Sequence, residues 1–219
     1  MRSRVAEDAL ATAVAAHGTR QLVVLGAGLD TYAYRGALAK RLRIFEVDNP
    51  ATQLWKRRLL ADATIPLPEA LTFVPVEFEH ASDGNLALGN ALTAAGFDPT
   101  QRTFVNWLGV VVYLSKDAIF STLSSIASLT GGADVVFDYG STTTSLVGKQ
   151  DRALDKLASL ANGIGETFQT FFNAEEIRAK VTSFGFRSIV DFGPKELAAL
   201  FLTSSESSLA GCYVMRATT

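Results

Sequence analysis

A chain of 219 residues with 48% hydrophobic content suffices for one well-buried α/β domain, and its formal net charge of -2 is spread along the sequence. No basic stripe points to nucleic acid, no apolar run is long enough to span a bilayer, and the N-terminus lacks a signal-peptide core, so a cytoplasmic protein is expected. A single cysteine, Cys212, rules out an internal disulfide, and with only His17 and His80 a zinc site has too few soft ligands.

Residues 5–16 predict a helix with Ala6, Leu10, Ala13 and Val14 on one side. The continuous apolar run 22–25 then reads as a strand buried on both faces. The chain turns on Gly26, Ala27 and Gly28, passes Asp30, and enters a helix predicted over 31–40. A second apolar run, 42–47, carries Glu46 and leads into Asp48. Strand, glycine turn, helix and strand closing on an acid make the first half of a Rossmann-type nucleotide site. The glycines let backbone approach a ligand, and an acid can accept hydrogen bonds from a ribose diol. Strand alternation places Glu46 and Asp48 on the same face, so the choice between them stays open.

The charge pattern bears on which nucleotide fits. A dinucleotide fingerprint wants a third glycine where Thr31 stands. Asp30 lies at the predicted helix N-terminus, where a pyrophosphate would rest, and a carboxylate there caps the helix and repels phosphate. It tolerates a cofactor carrying a sulfonium and an ammonium, which favours S-adenosyl-L-methionine over NAD.

Asn49-Pro50 starts a further helix, on which Leu54, Trp55, Leu59 and Leu60 are expected to face inward and Lys56, Arg57 and Arg58 to face solvent. A strand over 71–78 carries Glu77 and Phe78, and a helix over 85–95 follows. Residues 102–108 predict the next strand, and 110–114, with Tyr113, cross the edge where ligands gather. Ser115 caps a helix bearing Ile119, Leu123 and Ile126; a strand over 133–139 ends in Asp138 and Tyr139, and 141–145 form a polar linker. A helix from 154 to 160, a helix after Asn173, and strands over 189–192 and 212–215 complete the chain, with Cys212 expected in the core. The result is α/β: a Rossmann-like, seven-stranded, mostly parallel sheet with helices on both faces, closed by an antiparallel pair. No G-x-S-x-G elbow is present for a serine hydrolase.

GAGLDTYAYRG followed by FEVDNP, then VPVEFE, FVNWLGVVVYLSKDA, VVFDYG, GETFQTFFNAEEI and VDFGPKEL, occur in order along the chain. This series resembles the leucine carboxyl methyltransferase-like family of class I S-adenosylmethionine-dependent methyltransferases, in particular its bacterial putative O-methyltransferase branch. The resemblance implies cofactor contacts from Gly26, Ala27, Gly28, Asp30 and Asp48, with Glu46 as the competing acid. It also implies an adenine contact from Glu77-Phe78, where the family commonly has Asp-Leu, and a cofactor contact from Arg2 ahead of the first helix. Two readings stay open for Tyr113: facing the methyl-transfer site, or serving as a core aromatic. Leu108 replaces a family glutamate, and Ala199-Leu200 replace an arginine-tyrosine pair.

The implied reaction is methyl transfer to a carboxylate or hydroxyl oxygen of a small molecule or peptide, without nucleic acid or membrane partners. With only 20 residues before the first strand, an open pocket is expected, closed by substrate or by a second subunit in a homodimer. The competing readings are a degenerate methyltransferase fold serving as a scaffold and an NAD(P)-dependent reductase.

Overall fold

In a computed structural model of the chain, which describes residues 1–76, 84–141, 168–201 and 212–219, the apolar run forms β1 (Gln21–Leu25), buried along its whole length. Parallel partners flank it: β2 (Arg43–Asp48) on one side and β4 (Thr103–Trp107) on the other. Beyond β2 lies β3 (Leu71–Pro75), and beyond β4 lies β5 (Ala133–Ser141). β8 (Cys212–Thr218) runs antiparallel between β5 and β7 (Ser188–Phe192). The path is thus β3-β2-β1-β4-β5-β8-β7, the expected seven strands, and a two-residue β6 (Phe171–Phe172) adds an eighth beside the end of β5. Strand order reverses between β1 and β4, so the crevice outside their carboxyl ends is the topological switch point, where ligands bind in open α/β sheets.

Helices cover both faces. One apolar cluster joins Leu22, Val24, Ile44 and Val136 of the sheet to Val5, Ala9, Leu10 and Val14 of α1 (Arg2–His17). The other joins Val23, Phe45, Val105 and Phe137 to Leu88 and Leu92 of α4 (Gly84–Ala94) and to Ile119, Leu123 and Ile126 of α5 (Lys116–Ala127). Ile177 and Val181 of α6 (Ala174–Ser183) extend it, and Leu197 of α7 (Pro194–Phe201) joins the first cluster. The alternation of apolar positions between the two clusters along β1 and β2 is the period-2 pattern of a sheet covered on both sides. Among the described residues, no helix is long and apolar enough to cross a membrane.

α1 is fastened at both ends to one strand. His17, in its last turn, lies 3.2 Å from Asp134, which also accepts from Arg102 (3.1 Å) and the Thr218 hydroxyl (2.7 Å). Arg2, in its first turn, donates to Asp138 at 2.5 Å. His17 is therefore tied to the rim opposite the switch point, away from any ligand there.

Three expectations are corrected. The helix predicted over 31–40 shrinks to α2 (Tyr32–Arg35) and a separate 3-10 turn at Ala39–Arg41, because Gly36 adopts extended backbone against the Tyr32 ring. The strand ending in Asp138 and Tyr139 continues to Ser141, since β8 and β6 pair with its extra residues.

The third concerns α3 (Pro50–Asp62), whose inward face is polar rather than apolar. Gln53 and Lys56 are buried, while Leu54 and Trp55 are 51% and 52% exposed and Leu59 is also exposed. The carbonyls of Glu46 and Val74 lie beneath this helix, and Gln53 Nε2 donates to both, at 2.9 and 3.1 Å. An amide reaching backbone acceptors anchors the helix where an apolar side chain could not. Leu59→Gln should accordingly change unfolding free energy by no more than about 0.5 kcal/mol, the scale of an ordinary surface substitution. A urea titration showing a loss of core size, about 2 kcal/mol or more, would contradict this packing.

Glu77, Phe78, His80, the linker after Ser141, the helix predicted over 154–160 and the Cys212 side chain lie outside the described residues.

Candidate functional site

The loop leaving β1 is built by two glycines with different demands. Gly26 has φ +63°, and a side chain there would run into the Val110 methyl. Gly28 has φ +47° with open space around it, so its need for glycine is conformational alone. Val110 belongs to the segment leaving β4, so the tight turn at Gly26 brings the two lips of the switch point together.

Most of the loop's hydrogen-bonding capacity is spent inside the protein. The Ala27 N–H donates to the Val47 carbonyl (3.1 Å), the Gly28 N–H to Asp48 Oδ2 (2.5 Å), and the Asp30 N–H to the Ala27 carbonyl (2.7 Å). The Asp30 carboxylate accepts from the Tyr32 N–H at 2.7 Å, the first N–H of the four-residue α2, whose N-cap is Thr31. A pyrophosphate needs a row of unclaimed N–H groups at a helix N-terminus. Here those at 27, 28, 30 and 32 are occupied, and a carboxylate holds the helix start.

The two competing acids of β2 are in different situations. Glu46 is 1% exposed; its Oε2 accepts from Lys56 Nζ at 2.6 Å, and its Oε1 is buried with no hydrogen-bond partner among the described residues. Burial pushes its carboxyl from the ordinary value of 4.5 up to about 7, outweighing the help of Lys56, and the neighbouring charges of Asp30 and Asp48 push the same way. Asp48, at the end of the strand, is only half-buried and accepts from the N–H groups of Gly28 and Asn49 (2.5 and 2.7 Å). Each carboxylate oxygen keeps a second lone pair, so Asp48 can still accept from a ligand.

Across the crevice, Asp138 accepts from the Gly109 N–H (2.6 Å) and from Arg2 (2.5 Å). Arg2 is half-exposed, and its guanidinium lies beside Gly109. Leu108 packs on the apolar cluster beneath α1. Tyr113 sits in a 3-10 turn (Val111–Tyr113), its ring 5.4 Å from that of Phe168, and the Gln169 N–H donates to the Val112 carbonyl. The structure thus gathers Gly26, Ala27, Gly28, Asp30, Glu46 and Asp48 on one lip and Arg2 on the other. Glu77 and Phe78 lie outside the described residues.

Lys56 escaped the sequence reading, which placed it in solvent. Its Nζ donates to both Glu46 and the Asp30 carbonyl, each at 2.6 Å. Its one sequence signal is the three-residue spacing from Gln53, which puts two polar side chains on one helical face; a search for apolar periodicity passes over it.

The profile of the family described as leucine carboxyl methyltransferase matches residues 1–127, more than half of the chain. The chain belongs to this family. Among relatives, it is 32% identical over 195 residues to "Putative S-adenosyl-L-methionine-dependent methyltransferase YktD" of Bacillus subtilis, covering 88% of this chain and 62% of that protein. It is 34% identical over 173 residues to FRAAL3836 of Frankia alni, similarly named, covering 76% of this chain and 58% of that protein. The chain thus spans less than two thirds of the length of either. Among solved structures, a SAM-dependent methyltransferase from Archaeoglobus fulgidus superposes with a TM-score of 0.58 at 14% identity, over 100% of this chain and 95% of its own. The magnesium protoporphyrin IX methyltransferase of Synechocystis, solved with bound SAH, gives 0.54 at 12% identity, over 99% of this chain and 83% of its own. These likenesses establish the class I methyltransferase fold that the leucine carboxyl methyltransferase family shares.

Proposed function

We propose that this chain is an S-adenosyl-L-methionine-dependent methyltransferase acting on an oxygen nucleophile of a small molecule or peptide. The observation that carries the cofactor is the glycine loop, whose N–H groups at 27, 28 and 30 are consumed internally while Asp30 and Asp48 lie at the switch point. That arrangement disfavours a pyrophosphate and suits a ligand with a sulfonium and an ammonium, so NAD(P) fits poorly. Asp48 would accept from the ribose hydroxyls, with Gly26–Gly28 allowing close approach. Asp30 supplies negative potential toward the cationic portion, while the charge of Asp138 is met by Arg2 and the Gly109 N–H. When bound, the cofactor supplies an electrophilic methyl group.

The chain's own contribution to the chemistry is positioning. In-line transfer depends on holding donor and acceptor at attack distance, and orientation of this kind is worth several kcal/mol. A carboxylate acceptor is ionised at neutral pH and needs no base, whereas an alcohol does. His17, the one histidine among the described residues, is fastened to Asp134 at the far rim, so it offers no base at the crevice. This favours a carboxylate or an acidic phenol as the acceptor.

Calorimetric titration with S-adenosylhomocysteine and with NAD tests the cofactor. Binding of the first and not the second is expected, and the reverse would overturn the reading. Radiolabelled methyl transfer to panels of carboxylic acids, phenols and aliphatic alcohols tests the acceptor class, with label expected in base-labile esters or phenolic ethers. Asp48→Ala should weaken S-adenosylhomocysteine by about 1–3 kcal/mol, the scale of a hydrogen bond to a charged group. Unchanged affinity in that variant would remove Asp48 from the ribose.

A further inference from the structure

Lys56 has a place in the fold that its charge makes costly. Its side chain is 5% exposed, and burying an ammonium is unfavourable unless it is paired and hydrogen-bonded. The structure meets both conditions with groups from two different elements: Glu46 Oε2 on β2 and the Asp30 carbonyl in the glycine loop, each 2.6 Å from Nζ. The ammonium also sits 5.8 Å from the centre of the Tyr34 ring, on α2 just after that loop. One turn earlier on α3, Gln53 clamps the carbonyls of β2 and β3. The inner face of α3 therefore fixes the edge of the sheet through Gln53 and the nucleotide loop through Lys56.

Two consequences follow for the switch point. The loop's other ties run to Val47 and Asp48, so Lys56 is the contact that secures the loop's far end, at Asp30, from outside the loop–β2 strip. Glu46, sealed beneath the helix with Oε2 occupied, is withdrawn from the ligand side, and Asp48 is left as the accessible acid of β2.

We infer that Lys56 is a positioning residue for the cofactor: it locks the glycine loop onto β2 and so holds Asp30 and Asp48 in the geometry that recognises an adenosyl sulfonium ligand. The inference rests on the cofactor reading above, but the lock can also be read without ligand. Lys56→Met alone strands a buried carboxylate, so the informative comparison is Lys56→Met/Glu46→Gln against Glu46→Gln: both lack the carboxylate, and in the single variant the amide oxygen still accepts from Lys56 Nζ although the ammonium has lost its counter-charge.

Two measurements on the full chain decide it. In the ligand-free protein, amide hydrogen exchange at Gly28 and Asp30 should be at least ten-fold faster in the double variant than in Glu46→Gln, with amides of β5 unchanged. In calorimetry, S-adenosylhomocysteine should bind the double variant at least ten-fold more weakly than it binds Glu46→Gln, at a temperature where both are folded. Equal loop exchange in the two variants overturns the lock. Faster exchange with equal affinity overturns its role in cofactor recognition. A wild-type chain that binds no S-adenosylhomocysteine, yet shows the same exchange contrast, refutes the cofactor reading and leaves the lock standing.

Discussion

Gly26→Ala is expected to destabilise the fold by about 2–5 kcal/mol, the combined scale of one left-handed non-glycine residue and one overpacked contact. The residue has φ +63°, and the added methyl would meet Val110, part of the segment that leaves β4. Gly28→Ala is the control built into the same loop. At φ +47° with nothing within 4 Å of the new carbon, it should cost only about 1–2 kcal/mol, the backbone component alone. Chemical denaturation of the two variants separates strain from collision. Adding Val110→Ala to Gly26→Ala should recover part of the difference, because it removes the methyl that is struck. Equal losses at the two glycines would mean that the lips of the crevice are not in contact.

Glu46→Gln should alter how stability depends on pH. The folded-state value is about 7 and the ordinary value is 4.5, so between these the folded protein binds more protons than the unfolded chain. Stability contributed by this group is therefore fully present below about pH 4.5 and is lost as pH rises through about 7. The loss is about 3 kcal/mol at 1.36 kcal/mol per pH unit. Glutamine has no proton to lose, so the variant should gain on the wild type by that amount between pH 4.5 and pH 8. Parallel denaturation curves for the two proteins across this range would show that Glu46 is not desolvated as described.

The glycine loop and its two strands were legible in the sequence because each rests on a local signal. A run of four apolar residues cannot face water on either side, and a glycine after such a run marks a turn that other residues resist. The order of motifs carried the rest of the fold. What stayed illegible depended on tertiary partners. Glu46 and Asp48 share a face of β2, and no pattern along the strand says that a lysine from the next helix will claim the first of them. The same lysine was misplaced because apolar periodicity assumes that a helix meets an apolar surface. α3 meets backbone carbonyls instead, and its leucines and tryptophan turn outward. The helix after the loop broke at Gly36, where the Tyr32 ring occupies the space that a side chain would need. That contact spans only four residues, and Gly36 was the local signal that the predicted helix overran.

The double fastening of α1 has a practical side. A 16-residue helix is about 24 Å long. Its first turn is pinned through Arg2 to Asp138 at the crevice, so a fluorophore or affinity tag joined ahead of Arg2 would be delivered to the mouth of the candidate site. Thr218 lies opposite Asp134 in the antiparallel β5–β8 pair, which places it and Thr219 at the other rim. A handle carried on Thr219 would leave the crevice clear, and a binding signal seen only with that placement would report where the ligand enters.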